Sequence, residues 1–314
     1  MNCLCCGKPL RTENKTGWHK ACIKRFFMTE TLPEIDIDEQ GLTQLATESI
    51  QKGYTVPGVQ KKMSLHLFSQ TKKPRLTLFN YPSGYILKPQ VEEFDSLPEA
   101  EQLVMTMADS IGISTVPHAL MKGKGQFAYI TKRVDRIFEK NDVKMLAMED
   151  FCQLDLRLTQ DKYRGSYERC AKIISKYSSR KGLDMTELYL RLLFSFVVGN
   201  SDMHLKNFSL IETGEGSGKY VLSPAYDLLP VNVVMPEDKE QFALAMNGKK
   251  MNLRRKDFMV FADECGISRA SAEKMIGLIV KKKEVLISMC RASFLPEYMQ
   301  ERLCTLINDR MNLF

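Results

Sequence analysis

Apolar and polar residues alternate in short runs through the first third of the chain. Leu65-His-Leu-Phe-Ser69 and Arg75-Leu-Thr-Leu-Phe79 read as strands, and Tyr81-Pro-Ser-Gly84 as a turn into a further strand, Tyr85-Ile-Leu-Lys88. Ser96-Leu-Pro-Glu99 then places a capping Ser, a Pro in the first turn and a Glu at the third position, which predicts a helix running to Gly112. In the second half the period becomes helical: residues 148–158, 167–177, 270–282 and 296–311 each carry apolar residues on one face. Residues 187–198 are apolar nearly all round, as in a helix buried in a core, and Gly199 follows as a residue able to take a left-handed terminal position. Phe208-Ser-Leu-Ile and Lys219-Tyr-Val-Leu flank Gly214-Glu-Gly-Ser-Gly218, a hairpin that returns the chain toward Asp227. The pattern predicts an α+β protein whose C-terminal part is mostly helical.

The buried helix delivers Asp202-Met-His-Leu-Lys-Asn207, and a second acid follows at Asp227 in Ser-Pro-Ala-Tyr226-Asp227. An acid, an amide after four intervening residues and a later acid on a strand-to-loop junction is the spacing of a phosphoryl-transfer site. There the first acid takes a hydroxyl proton, while the amide and the second acid hold magnesium. Turn preference alone accounts for Asp and Asn in loops, but not for this spacing. His204 and Lys206 lie on the same loop, either to touch the transferring phosphoryl or to hold the loop's structure. Upstream, Lys88 is a single cation at a strand end and Glu101 sits in the first turns of the next helix, the pairing that holds a lysine against nucleotide phosphates. The segment Thr55-Val-Pro57-Gly58-Val59-Gln60-Lys61-Lys62 reads either as a phosphate loop, with Gly58 admitting close backbone approach, or as a turn between strands.

Before that segment, Cys3, Cys6, His19 and Cys22 fall in the spacing Cys-x2-Cys-x12-His-x2-Cys, with Cys5 as a spare thiol. Two Gly-containing turns separate the pairs. A piece this short has too little core to fold alone, so a structural zinc ion would supply its stability; the alternative is a set of reduced thiols packed against the rest of the chain.

Composition bounds the rest. At 314 residues and 44% hydrophobic, the chain can hold one bilobal unit around such a site. The net charge of +7 comes from short Lys/Arg clusters such as Arg254-Arg-Lys256 and Lys281-Lys-Lys283, which are either solvated faces or an attraction for a polyanion. No helix-turn-helix pattern is present, so DNA would be met only through a partner. Nine cysteines in scattered positions fit a reducing cytosol. No run of 18 apolar residues and no signal-peptide stretch occurs, so a cytoplasmic location away from membranes is expected.

The chain resembles the HipA-like toxin kinases of bacteria. The resemblance rests on Val56-Pro-Gly-Val-Gln-Lys-Lys62, Tyr85-Ile-Leu-Lys-Pro89, Glu99-Ala-Glu101, Lys132-Arg-Val-Asp-Arg136, Glu149-Asp-Phe-Cys-Gln153, Gly199-Asn-Ser-Asp-Met-His-Leu-Lys-Asn207 and Tyr226-Asp227. It implies a bilobal fold close to protein and phosphoinositide kinases: a Cys/His-rich segment over 1–45, an N-lobe over 46–145 and a helical C-lobe over 146–314. It implies ATP and Mg2+ as cofactors, Asp202 as catalytic base, Asn207 and Asp227 as magnesium ligands, and Lys88 as phosphate-binding lysine. Residues Pro57 to Lys62 would cover the nucleotide, and the strand Thr131 to Val134, with Lys132 and Arg133 between, would form the hinge that contacts the adenine.

The family's activity is serine/threonine phosphorylation of an aminoacyl-tRNA synthetase, with growth arrest opposed by a small DNA-binding HipB-like antitoxin. Only some fifty residues precede the loop, as in short HipT-like members whose missing subdomain is a separate HipS-like polypeptide. Where relatives autophosphorylate a serine before the loop, this chain offers Thr55, two residues before the stiffening Pro57. The competing readings are a small-molecule phosphotransferase and a partner-binding pseudokinase, although the latter normally loses one of Lys88, Asp202, Asn207 or Asp227.

Overall fold

The computed structural model describes residues 1–11, 14–35, 62–69, 73–77, 83–123, 125–139 and 143–314. Chain contacts divide it into two compact units, Met1–Gln102 with Val116–Arg133, and Leu103–Thr115 with Val134–Phe314. Strands and helices mix along the chain, and its C-terminal portion is mostly helical.

In the first unit, β1 (Glu34–Ile35), β2 (Met63–Phe68), β3 (Arg75–Thr77), β4 (Tyr85–Pro89), β5 (His118–Lys122) and β6 (Phe127–Lys132) make a six-stranded sheet ordered β1-β3-β2-β4-β6-β5. All its pairings are antiparallel except β1 with β3. The strand β4 is central and pairs on both sides, setting Leu87 opposite Ile130 and Lys88 opposite Tyr129. Tyr85 and Leu87 are buried on one face, as a two-residue period requires, but Lys88 on the other face is buried too.

The helix after β4 spans Leu97–Ser110, two residues short of the predicted end. Its start also differs from the sequence reading. Ser96 takes a left-handed φ of 49°, outside the extended region in which a capping Ser sits. Gln90 acts instead, its Oε1 accepting the Leu97 N–H at 3.2 Å. The helix Lys20–Phe27 stacks Trp18, Phe26 and Phe27 with Tyr85 of β4, ring centroids 4.8–5.9 Å apart.

The second unit is built around the helix Lys181–Val198, in which every residue from Arg191 onward is buried. Buried Asp184 fixes its start, accepting from Ser178 Oγ at 2.6 Å, Arg180 Nε at 2.8 Å and the Leu222 N–H at 2.7 Å. The predicted hairpin is present as Ser209–Glu212 paired antiparallel with Tyr220–Leu222. A third strand, Met148–Asp150, pairs with Ser209–Ile211 where the sequence predicted the start of a helix over 148–158. The helix there is only Phe151–Leu154, because Asp150 caps it in a capping box with Gln153 and Leu156 then turns at φ 55°. Helices Arg255–Glu264, Arg269–Lys281, Lys283–Arg291 and Glu297–Met311 complete the unit. Among the described residues, no helix is long and apolar enough to cross a membrane.

Candidate active site

Gly199 ends the buried helix at φ 70°, and a Cβ there would come within 2.4 Å of Leu306 Cδ2. Only glycine meets both the left-handed backbone and the close packing. The loop that follows is held at several points. Tyr167 donates its hydroxyl to the Met203 carbonyl at 3.0 Å, and the Leu205 N–H reaches the Lys162 carbonyl at 3.1 Å. Within the loop, the His204 N–H donates to the Asp202 carbonyl at 2.8 Å and the Asn207 N–H to the His204 carbonyl at 3.0 Å. Asn207 Nδ2 closes the turn onto the Asp202 carbonyl at 3.4 Å. The acid and the amide are thereby fixed on one short arc.

Asp227 is brought to that arc by its neighbours. The Ser223 N–H donates to the Ser209 carbonyl at 2.9 Å, and buried Arg191 reaches the Ser223 carbonyl at 2.7 Å. Tyr226 donates its hydroxyl to the Lys206 carbonyl at 3.0 Å and meets Ser209 Oγ at 2.5 Å. Asp227 itself adopts φ 56°, a left-handed conformation that Asp tolerates better than most residues.

The electrostatics follow from burial and from these neighbours. Burial raises the Asp202 carboxyl above its ordinary value, and the negative charges of Asp227 and Asp238 push the same way. Tyr163, whose hydroxyl donates to Asp202 Oδ1 at 2.7 Å, and Lys162 oppose that rise. His204 is pulled down to about 4 by burial, with Lys162 adding to it, so it is neutral at pH 7. Its Nε2 lies 4.0 Å from Asp202 Oδ2, its ring meets Tyr163 edge-on at 5.1 Å, and its Nδ1 makes no hydrogen bond among the described residues. Lys206 Nζ is engaged with Asp150 Oδ2 at 2.6 Å.

In the first unit, Lys88 Nζ donates to Glu101 Oε1 at 2.7 Å, with both side chains nearly inaccessible, and lies 5.4 Å from the Tyr129 ring centroid. Lys132 ends β6, where burial lowers its ammonium, and the Arg133 N–H donates to the Gly84 carbonyl at 2.8 Å. Val134 belongs to the second unit. Lys62 is exposed just before β2, while Thr55 and residues 57–61 lie outside the described residues. The structure thus gathers Asp202, His204, Lys206, Asn207, Tyr226 and Asp227 in one cluster, and Lys88 with Glu101 in another. Two members escaped the sequence reading. Asp150 lies in a motif that marked the resemblance without a role assigned, and Tyr163 lies in a run with no periodicity.

At the N-terminus, ligand atoms of Cys3, Cys6, His19 and Cys22 lie within 4.8 Å of one another. Burial works to raise the Cys3 thiol, but backbone N–H groups of Cys6, Cys5 and His19 bring it down to about 7. Cys5 stands apart, its thiol pushed up to about 11 by burial.

Residues 54–286 match the family of HipA-like C-terminal domains. A Haemophilus influenzae protein named as a candidate kinase is 24% identical over 295 residues, covering 84% of this chain and 82% of the relative. A Sinorhizobium fredii protein named likewise is 28% identical over 261 residues, covering 78% of this chain and 60% of the relative, so the chain spans about three fifths of that protein. Among solved structures, Shewanella oneidensis HipA, in complex with HipB and operator DNA, superposes with a TM-score of 0.68 at 19% identity over 85% of this chain and 70% of its own. The Helicobacter pylori proinflammatory kinase CtkA superposes with a TM-score of 0.55 at 15% identity over 80% of this chain and 93% of its own.

Proposed function

Since the chain belongs to the family of HipA-like C-terminal domains, we propose that it is an ATP-dependent serine/threonine protein kinase acting as the toxin of a toxin–antitoxin pair. The observation that carries this reading is the hydroxyl already seated on Asp202: Tyr163 donates to its Oδ1 at 2.7 Å. A carboxylate that accepts a hydroxyl hydrogen in this way can orient and deprotonate a serine or threonine brought to the same oxygen.

The donor set suits magnesium. Asp202 and Asp227 are close enough for the charge of one to raise the pKa of the other, which a cation between oxygen donors would relieve. Asn207 and Asp227 would hold the ion, which when bound neutralises charge on the nucleotide phosphates. Within the first unit, Lys88, braced by Glu101, is a fixed cation of the kind that meets nucleotide phosphates. Neutral His204 and the Lys206–Asp150 pair hold the loop, so that the contribution of the protein is positioning and electrostatics.

A small DNA-binding HipB-like antitoxin is the expected partner, supported by the HipB bound to the Shewanella neighbour. The substrate class, by family resemblance, is a translation component such as an aminoacyl-tRNA synthetase. Incubating the purified chain with Mg2+ and ATP in a bacterial lysate, followed by phosphopeptide mass spectrometry, tests this reading. New phosphoserine or phosphothreonine sites should appear, and should be absent with Asp202→Asn and Asp227→Asn. Phosphate found only on metabolites would replace this reading with a small-molecule phosphotransferase.

A further inference from the structure

The Cys3 and Cys6 pair sits on a tight hairpin. The Cys3 N–H donates to the Lys8 carbonyl at 2.8 Å, the Gly7 N–H returns to the Cys3 carbonyl at 2.9 Å, and Gly7 supplies φ 68°. The His19 and Cys22 pair opens the helix Lys20–Phe27, with the Cys22 N–H on the His19 carbonyl at 2.9 Å. The two turns bring their four ligand atoms within 4.8 Å of one another.

The imidazole in this cluster is oriented. His19 Nε2 lies 3.1 Å from the Pro9 carbonyl, which can only accept, so Nε2 carries the proton. Nδ1 is left with its lone pair facing Cys6 Sγ at 3.4 Å and Cys22 Sγ at 4.0 Å. A tetrahedral ion at about 2.3 Å from sulfur and about 2.0 Å from nitrogen sets sulfur–nitrogen edges of about 3.5 Å, and the two observed edges straddle that figure. One thiol suffices to hydrogen-bond a lone pair. Cys3 Sγ, which accepts the His19 N–H at 3.5 Å, completes a set that a cation would organise, and three sulfurs with one imidazole nitrogen favour zinc over magnesium or calcium. The Pro9 carbonyl is then the outer partner that fixes the tautomer of a metal-bound histidine.

We propose that Cys3, Cys6, His19 and Cys22 bind one structural Zn2+, and that this ion staples the N-terminal segment to the helix and strand that present Lys88 and Glu101. The staple has an arm on each side. From the hairpin, the Cys5 carbonyl accepts Gln102 Nε2 at 3.2 Å and the Leu4 carbonyl accepts the Leu120 N–H at 2.9 Å. Gln102 adjoins Glu101, and its Oε1 meets His118 Nδ1 of β5 at 2.9 Å. From the helix, the Phe26 carbonyl accepts the hydroxyl of Tyr85, three residues before Lys88 on β4, at 3.2 Å. A segment of this size cannot hold such a shape by its own core, so the metal joins the two arms. The site stands whatever the chain phosphorylates.

The test uses the full chain, purified without chelator. Elemental analysis should find about one zinc per chain, lost in Cys6→Ser and Cys22→Ser and retained in Cys5→Ser. Treatment with a zinc chelator should lower the melting temperature by several degrees, and ZnCl2, but not MgCl2, should restore it. Hydrogen exchange of residues 98–104 and 118–122 should rise at least tenfold on chelation. If the serine variants do not fold, the chelation arm on unaltered protein decides alone. Protein that is free of zinc as isolated, with a melting temperature indifferent to chelator, or protein that carries iron in its place, would overturn the assignment. Zinc lost without a change in exchange at 98–104 and 118–122 would overturn the staple.

Discussion

The hydroxyl of Tyr163 donates to Asp202 Oδ1 at 2.7 Å, so the carboxylate proposed as the base already holds a hydroxyl of the chain's own. Tyr163 is 42% exposed, and its ring rests edge-on against His204.

This contact predicts a shift in pH dependence. Burial holds the Asp202 carboxyl above its ordinary value, and the Tyr163 hydroxyl offsets part of that rise. Tyr163→Phe removes the offset, so the carboxyl rises further. A general base works deprotonated, and its activity disappears as pH falls through its pKa. The acid limb of kcat/KM in Tyr163→Phe should therefore lie at higher pH than in the unaltered enzyme. A limb at the same pH would show that the hydroxyl does not act on Asp202 in solution.

His204 predicts a pH dependence of stability. Its folded pKa of about 4 is depressed below the ordinary histidine value of about 6.5, so the unfolded chain binds the proton better. The contribution is fully present above about pH 6.5 and is lost as pH falls toward about 4, amounting to up to about 3 kcal/mol. Thermal melts between these values should show a shallower decline for His204→Gln than for the unaltered chain. Equal slopes would mean that water reaches His204 and lets it protonate in the folded state.

The Lys88–Glu101 pair predicts non-additive losses. Both side chains are almost fully enclosed, so Lys88→Met alone leaves a buried carboxylate without its 2.7 Å partner and should cost about 3–5 kcal/mol. Glu101→Gln in the same chain should recover much of that stability while phosphoryl transfer stays absent. Denaturant unfolding of the two single variants and the double variant measures the coupling. Additive losses would show that the ion pair does not form in solution.

Much of this arrangement was legible in the chain because its signals are local. The apolar stretch before Gly199 marked a buried helix, and the alternation around Tyr85 marked the strand that carries Lys88. Boundaries failed where a side chain overrode the period. Asp150 caps a helix and ends a strand at once, so the apolar residues of 148–158 do not share one helix. The Ser96 motif suggested a cap, but Gln90, six residues upstream and outside the capping pattern, supplies the bond. The roles of Tyr163 and Asp150 depend on contacts across 39 and 56 residues, which no local pattern encodes.

On the proposed mechanism, Asp202 activates a protein hydroxyl toward the γ-phosphate of ATP. The most direct measurement is the rate of label transfer from γ-32P ATP to a protein acceptor by the unaltered chain and by Asp202→Asn, with ATP affinity measured alongside. Loss of a positioned base predicts a fall in transfer of about 10²–10⁴-fold with ATP affinity changed by less than about threefold. Transfer by Asp202→Asn within a few-fold of the unaltered chain would show that Asp202 is not the base.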